Sequence, residues 1–299
     1  MLTIGNVRIT RIVELEMPGL SFVLPDAIPD NLLPIKWLAP HFISPEGEAI
    51  ASIQAFIVES EGKRIIVDTC LGNDKKLPIR RWANRSGPFL QDLAAAGFPR
   101  ETIDTVLCTH LHMDHIGWNT MLVDGKWGPT FPHAQYLFGR VEWEHWDRTR
   151  EKWTPTLIEE SIQPILDARL HMLVETDHRI THEIWLEPTP GHTPGHVSVR
   201  IASRGEQAVI TGDLMHHPCQ IARSDWNSVV DSDPEQARTT RHAFVSRRAE
   251  DGILVIGTHF PAPTAGRIVR DAEGFRFETK YKSTQMDQLD RIAAAQALP

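Results

Sequence analysis

The amino-acid sequence predicts a layered α/β fold arranged as a single domain over residues 1–299, and three observations point there. Short apolar runs alternate with longer stretches that carry helix-start signals. Several of those runs end directly in Asp or His beside glycine. The composition, 41% hydrophobic and 23% charged over 299 residues, is that of an ordinary globular chain with ample material for a core.

The elements follow in order. Val7–Glu14 alternates apolar and polar residues, the signature of a half-buried strand. A proline-containing stretch at about 18–47 lacks periodicity and reads as a loop excursion on the surface. Ala51–Glu59 and Arg64–Val67 suit a hairpin around Glu61-Gly62, and Thr105–Cys108 is a short apolar strand. Further strands are expected at Ala134–Phe138, Ile184–Leu186, Val197–Ile201, Ala208–Ile210 and Ile253–Ile256. Helices fit Pro88–Ala96, Val141–Arg148 and Thr156–Leu173. The best-marked helix runs from Pro234 to about Ala249, with Asp233 as N-cap, proline in the first turn and Gly252 beyond the end. A hairpin at Gly266–Thr279 and a closing helix at Ser283–Ala297 complete the chain. Together these suggest two mixed sheets facing each other with helices outside.

Composition also excludes function classes. A net charge of -8 argues against binding a phosphate backbone, so no nucleic-acid partner is expected. Cys70, Cys108 and Cys219 are odd in number, widely spaced and form no CxxC pair, which fits a reducing compartment. The N-terminal residues show no charged segment leading into an apolar run, and no run of about 18 apolar residues exists. The expectation is a cytoplasmic protein with no membrane contact.

Histidine is over-represented, with 15 in the chain, and its placement carries the chemistry. In Thr109-His110-Leu111-His112-Met113-Asp114-His115, four ligand-type residues fall within six positions directly after an apolar strand. His110 and His112, two apart on extended backbone, project the same way and can grip one metal. Asp114 and His115 follow the turn and can face a second. Imidazole and carboxylate donors suit zinc, iron, manganese or cobalt, with zinc the first choice. His192 in Pro190-Gly191-His192-Thr193-Pro194-Gly195-His196, Asp213 in Thr211-Gly212-Asp213 and His259 in Gly257-Thr258-His259 also stand at strand ends beside glycines. Any one of these three alone reads as a structural polar residue; beside the first motif, the metal reading prevails.

This pattern resembles the metallo-β-lactamase-fold hydrolases over about Ile50 to His259, including Ile66-Val67-Asp68-Thr69. The resemblance implies a four-layer αββα sandwich with two divalent metal ions at one edge of the sheets. It assigns His110, His112 and His192 to the first metal, Asp114, His115 and His259 to the second, and Asp213 to both. Asp68 would orient the loop without binding metal, and His196 would tie down its turn.

Within that family, an aspartate at the bridging position disfavours β-lactam hydrolysis, and His112 stands where flavin-linked diiron members have glutamate. The chain looks nearest the branch of N-acyl-homoserine lactone lactonases and methyl parathion hydrolase, whose substrates are small molecules. Lactonases of that branch commonly place tyrosine three residues after the bridging aspartate; here the position is His216. The resemblance implies hydrolysis of a lactone or ester carbonyl by a metal-bridging hydroxide, with Asp114 relaying a proton and His216 a second candidate for a catalytic role. Phosphotriester hydrolysis and hydrolytic dehalogenation are the alternatives, followed by β-lactamase activity and a non-catalytic metal-binding role. Trp118, Trp143, Trp146, Trp153 and Trp226 lie on segments expected to border the centre, where they could wall a pocket, although core packing is the expected role of most of them. Trp37, in the excursion, is the tryptophan most suited to touch substrate or the second copy of a homodimer.

Overall fold

The computed structural model describes residues 1–279 apart from 154 and 273, with only the backbone at 150–153 and 155; the helix expected at Ser283–Ala297 lies outside these. In the first half, β1 (Leu2–Ile4) turns into β2 (Val7–Pro18), and α1 (Pro29–Leu32) leads to the hairpin β3 (Ile50–Ser60) and β4 (Lys63–Val67). Then come α2 (Phe89–Ala95), β5 (Thr105–Leu107), α3 (Met113–Ile116) and the small hairpin β6 (Thr120–Val123) and β7 (Lys126–Pro129). The half closes with β8 (Gln135–Gly139), α4 (Arg140–Trp153), α5 (Pro155–Ser161), α6 (Gln163–Asp167) and β9 (His171–Val174). The second half holds β10 (Ile184–Pro188), β11 (Val197–Ser203), β12 (Glu206–Ile210), α7 (Cys219–Ala222), α8 (Pro234–Asp251), β13 (Leu254–Ile256), β14 (Ala265–Asp271) and β15 (Gly274–Glu278).

These strands form a seven-stranded sheet, ordered β1-β2-β3-β4-β5-β8-β9, and a six-stranded sheet, ordered β10-β11-β12-β13-β14-β15. Because side chains alternate across a strand, each sheet feeds two cores. Phe56, Val58, Ile65, Val67 and Leu107 of the first sheet meet Val199, Ile201, Ile210, Leu254 and Ile256 of the second in the central core. Their strand neighbours Ile57, Ile66 and Val106 face the other way, onto Phe89, Leu93, Trp146 and Ile165 of the helical layer. Val209 and Val255 likewise face Phe244 and Val245 of α8. Sheets covered on both faces explain why the central strands read as continuous apolar runs, and the result is the αββα sandwich.

Two expectations need correction. The segment at about 18–47 is not a surface excursion: Leu24, Leu32, Leu38 and Phe42 are fully buried and belong to the core outside the second sheet. Its apolar residues are presented by α1, of four residues, a three-residue 3-10 turn (Lys36–Leu38) and loops, so they have no single period to detect. The helix expected over Thr156–Leu173 is three elements. Pro164 opens α6 as a separate turn, Arg169 takes a left-handed φ of 56°, and His171–Val174 pairs in parallel with β8. The α8 reading holds: Asp233 accepts from the backbone N of Glu235 and Gln236, and Gly252 caps the end at φ 62°. Among the described residues no helix is long and apolar enough to cross a membrane.

Candidate metal centre

Strand direction determines where the ligand-type residues gather. β4 and β5 are parallel, as are β12 and β13, and β10 runs the same way as β12 because β11 is antiparallel to both. The loops leaving β4, β5, β10, β12 and β13 therefore meet at one edge of the sandwich. Backbone bonds stitch the edge: Val197 N donates to Thr109 O (3.1 Å), Thr211 N to Ile256 O (3.0 Å) and Ser52 N to His259 O (3.0 Å).

The seven residues converge there in two groups, His110, His112, His192 and Asp213 in one, and Asp114, His115 and His259 in the other. His112 Nδ1 lies 3.0 Å from His110 Nε2 and 2.9 Å from His192 Nε2. Asp213 stands between the groups. Its Oδ2 lies 3.5 Å from His192 Nε2 and 3.8 Å from His110 Nε2, while its Oδ1 lies 3.2 Å from His115 Nε2 and 3.0 Å from His259 Nε2. His115 Nε2 and His259 Nε2 are 3.3 Å apart, and Asp114 approaches them at 3.7 and 3.6 Å. Donors bound tetrahedrally at about 2.1 Å would be about 3.4 Å from one another, so the spacing suits a metal in each group.

The outward ring atoms supply the chemical test of fit. His192 Nδ1 pairs with Asp231 Oδ1 (2.8 Å), His259 Nδ1 with Ser52 O (2.9 Å), and His110 Nδ1 with Thr109 Oγ1 (3.1 Å). Asp68 Oδ2 lies 3.0 Å from His115 Nδ1. With a proton on the outward nitrogen at these anchors, each inward nitrogen presents a lone pair, and several lone pairs aimed at one point repel unless a cation sits among them. Burial holds His110, His112 and His192 well below the usual imidazole value, so they are neutral donors. At His115 burial acts the same way, but the carboxylates of Asp213, Asp68 and Asp114 outweigh it and raise the group. The residues present fit two divalent cations. His112 and Asp114 are only partly buried, whereas the other five ligand-type residues are buried, so the open face of the centre lies on their side.

Supporting residues set the loops. Asp68, at a left-handed φ of 57°, accepts from the backbone N of Thr109 (2.8 Å) and from its hydroxyl, pinning the first motif to the end of β4. Gly212, at φ 57°, has no room for a side chain: a Cβ there would lie 2.5 Å from His196 Nε2. That nitrogen accepts from Asp213 N (2.8 Å), so His196 orients the loop, and burial lowers its pKa to about 4. Asp231 escaped the sequence reading, since an aspartate just upstream of an N-cap looks like any turn residue.

His216 also reaches the centre. It is buried, its Nε2 lies 3.3 Å from Asp213 Oδ2, and neither ring nitrogen has a hydrogen-bond partner among the described residues. Its backbone N is fixed by Gln220 Oε1 (2.7 Å). Of the tryptophans, Trp146 borders the centre, edge-on to His112 at 5.5 Å. Trp118 is a core residue stacked on Phe89, and Trp37 and Trp226 pack against the core outside the second sheet. Trp143 packs against the core of the helical layer, and the side chain of Trp153 lies outside those described.

A sequence profile described as "Metallo-beta-lactamase superfamily" matches residues 51–269, and the chain belongs to that superfamily. Among curated proteins it is 28% identical over 118 residues to an N-acyl homoserine lactonase of a Bacillus species, covering 40% of each chain. It is 25% identical over 174 residues to the beta-lactamase-like protein 2 homolog of Drosophila melanogaster, covering 58% of this chain and 50% of that one. The chain thus spans about two fifths to one half of the length of these relatives. Among solved structures, AidC, a dizinc quorum-quenching lactonase in complex with the product N-hexnoyl-L-homoserine, superposes with a TM-score of 0.75 at 22% identity, over 95% of this chain and 97% of that one. The hydrolase AbOPH gives 0.75 at 24% identity, over 94% and 97%. At these identities the structural likeness speaks for the fold.

Proposed function

We propose that the protein is a metal-dependent hydrolase that opens a lactone or cleaves a small ester. The observation that carries this is the split carboxylate of Asp213, one oxygen toward each group of histidines, with His112 and Asp114 the partly exposed members of the seven ligand-type residues. Two bound divalent ions, zinc being our first assignment, would bring the pKa of water toward about 7 and polarise a carbonyl oxygen. The chain's own residues supply the rest. Asp114, partly exposed at the mouth, is placed to accept a proton from the attacking water and return it to the departing alkoxide. His216, whose Nε2 lies 3.3 Å from Asp213 Oδ2 and whose ring nitrogens make no hydrogen bond among the described residues, would donate to the substrate's carbonyl oxygen. The lactonase relatives in sequence support the substrate class. A homodimer, if formed through the N-terminal segment, would use its exposed Phe22, Ile28 and Leu33.

The test is a panel of lactones, aryl esters, paraoxon-like triesters and chlorinated nitriles on protein of measured metal content. The proposal expects lactones or esters to be turned over fastest and chelation to abolish turnover. Turnover of triesters or nitriles alone, or activity indifferent to metal removal, would overturn it.

A further inference from the structure

Glu142 lies in the first turn of α4, outside both ligand groups, and the chemistry above makes no use of it. Its side chain is fully enclosed, at 1% exposure. Oε1 accepts from the backbone N of Leu111 (3.1 Å) and from Trp146 Nε1 (2.7 Å), and Oε2 accepts from the backbone N of Gly195 (3.0 Å). Leu111 stands between His110 and His112, and Gly195 follows His192 in the turn after β10. One carboxylate therefore fastens the two loops whose imidazoles must meet. The fit extends to the backbone: a Cβ added at Gly195 would lie 2.3 Å from Glu142 N and 2.7 Å from its Cα, so the second loop rests directly on α4. Trp146, held by the same carboxylate, sets its ring nearly perpendicular to that of His112.

The residue type matters. A carboxylate is acceptor-only at both oxygens, so it can receive an N–H from each loop at once. Glutamine has one acceptor oxygen, and its amide group would oppose the N–H of whichever loop it faced. The donors around it are neutral, and enclosing an anion without a cation as partner is costly, so a purely space-filling role would be met better by an apolar side chain.

We infer that Glu142 is a positioning residue for the first metal group: its two oxygens set the separation of the His110–His112 loop and the His192 loop, and thereby the spacing of three ligand nitrogens it never touches. This rests on the two-metal reading, and the experiment separates the two claims.

Zinc content and zinc affinity by chelator competition, together with the visible spectrum of the cobalt-substituted protein, are measured on the full chain and on Glu142→Gln. A wild-type protein that holds fewer than two ions would remove the two-metal reading and this inference with it. Where the wild type holds two, the expected result is a Glu142→Gln protein of native circular dichroism with one site weakened ten- to a hundredfold, an altered cobalt spectrum, and the other site unchanged. Glu183→Gln is the structural comparison. Glu183 accepts from Ser60 Oγ (2.7 Å) and Ser203 Oγ (2.6 Å), and its substitution should lower the melting temperature while leaving both affinities alone. If Glu142→Gln fails to fold, Glu142→Asp keeps the charge but is too short to reach both loops, and the same selective weakening is expected. Wild-type affinity at both sites in whichever variant folds, or equal weakening of both, would overturn the inference.

Discussion

Nδ1 of His192 and Oδ1 of Asp231 lie 2.8 Å apart, and both residues are buried. The other carboxylate oxygen of Asp231 accepts from the backbone N of Ser228 (2.9 Å), so the aspartate is itself held. The pairing keeps the His192 proton on the outer nitrogen and its lone pair aimed inward. Replacing Asp231 by alanine should weaken metal binding ten- to a hundredfold with little change in fold. Chelator competition measures this, and an unchanged affinity would show that the loop alone orients the ring.

Asp213 faces both groups, so its loss should be felt by both. Asp213→Ala is expected to reduce metal content and abolish hydrolysis together. A well-folded Asp213→Ala protein that retains two ions by elemental analysis and turns over at the wild-type rate would refute the bridging assignment.

His216 should separate binding of metal from chemistry. His216→Phe preserves a ring of similar shape but no donor, so metal content is expected to stay constant while kcat falls on the order of a hundredfold. Loss of an ion in this variant would instead make His216 a ligand.

Lys75 gives a pH signature unrelated to the metals. Its ammonium is buried, donates to Thr120 Oγ1 (2.6 Å) and to Glu160 O (2.9 Å), and sits 3.6 Å from the centre of the Trp127 ring. Burial lowers its pKa from 10.5 to about 7. Between those values the unfolded chain binds the proton more tightly than the folded one, so stability from this group rises as pH increases from about 7 toward 10.5, and is constant below. Denaturant midpoints at pH 7 and pH 9 should therefore move upward more in the wild type than in Lys75→Met. Parallel shifts in the two proteins would contradict it.

Much of the fold was legible because the central strands and α8 carry local signals: apolar runs for β5, β12 and β13, and the Asp233–Pro234…Gly252 punctuation for α8. The two-residue Gly5-Asn6 and Asp124-Gly125 turns are local signals of the same kind for the β1–β2 and β6–β7 hairpins. The 18–47 segment was not legible, because its burial depends on a surface offered by residues some two hundred positions later. The same holds for the centre. The ligand-type residues stood out by identity and by standing at strand ends, whereas Asp231 and Glu142 act through backbone and ring atoms of distant loops. An aspartate in a turn and a glutamate in a first helical turn look unremarkable in sequence.

The two groups of ligand-type residues draw on both sheets, and the final member, His259, stands after β13. During synthesis the first half of the chain, complete with its four-residue motif, would leave the ribosome without His192, Asp213 and His259, and so with neither group complete. Capture of a full metal pair would therefore be a late step of maturation, available to a chain whose halves have already docked. Metal occupancy would then report correct assembly as well as readiness for chemistry, and truncated or misdocked chains would be marked by its absence.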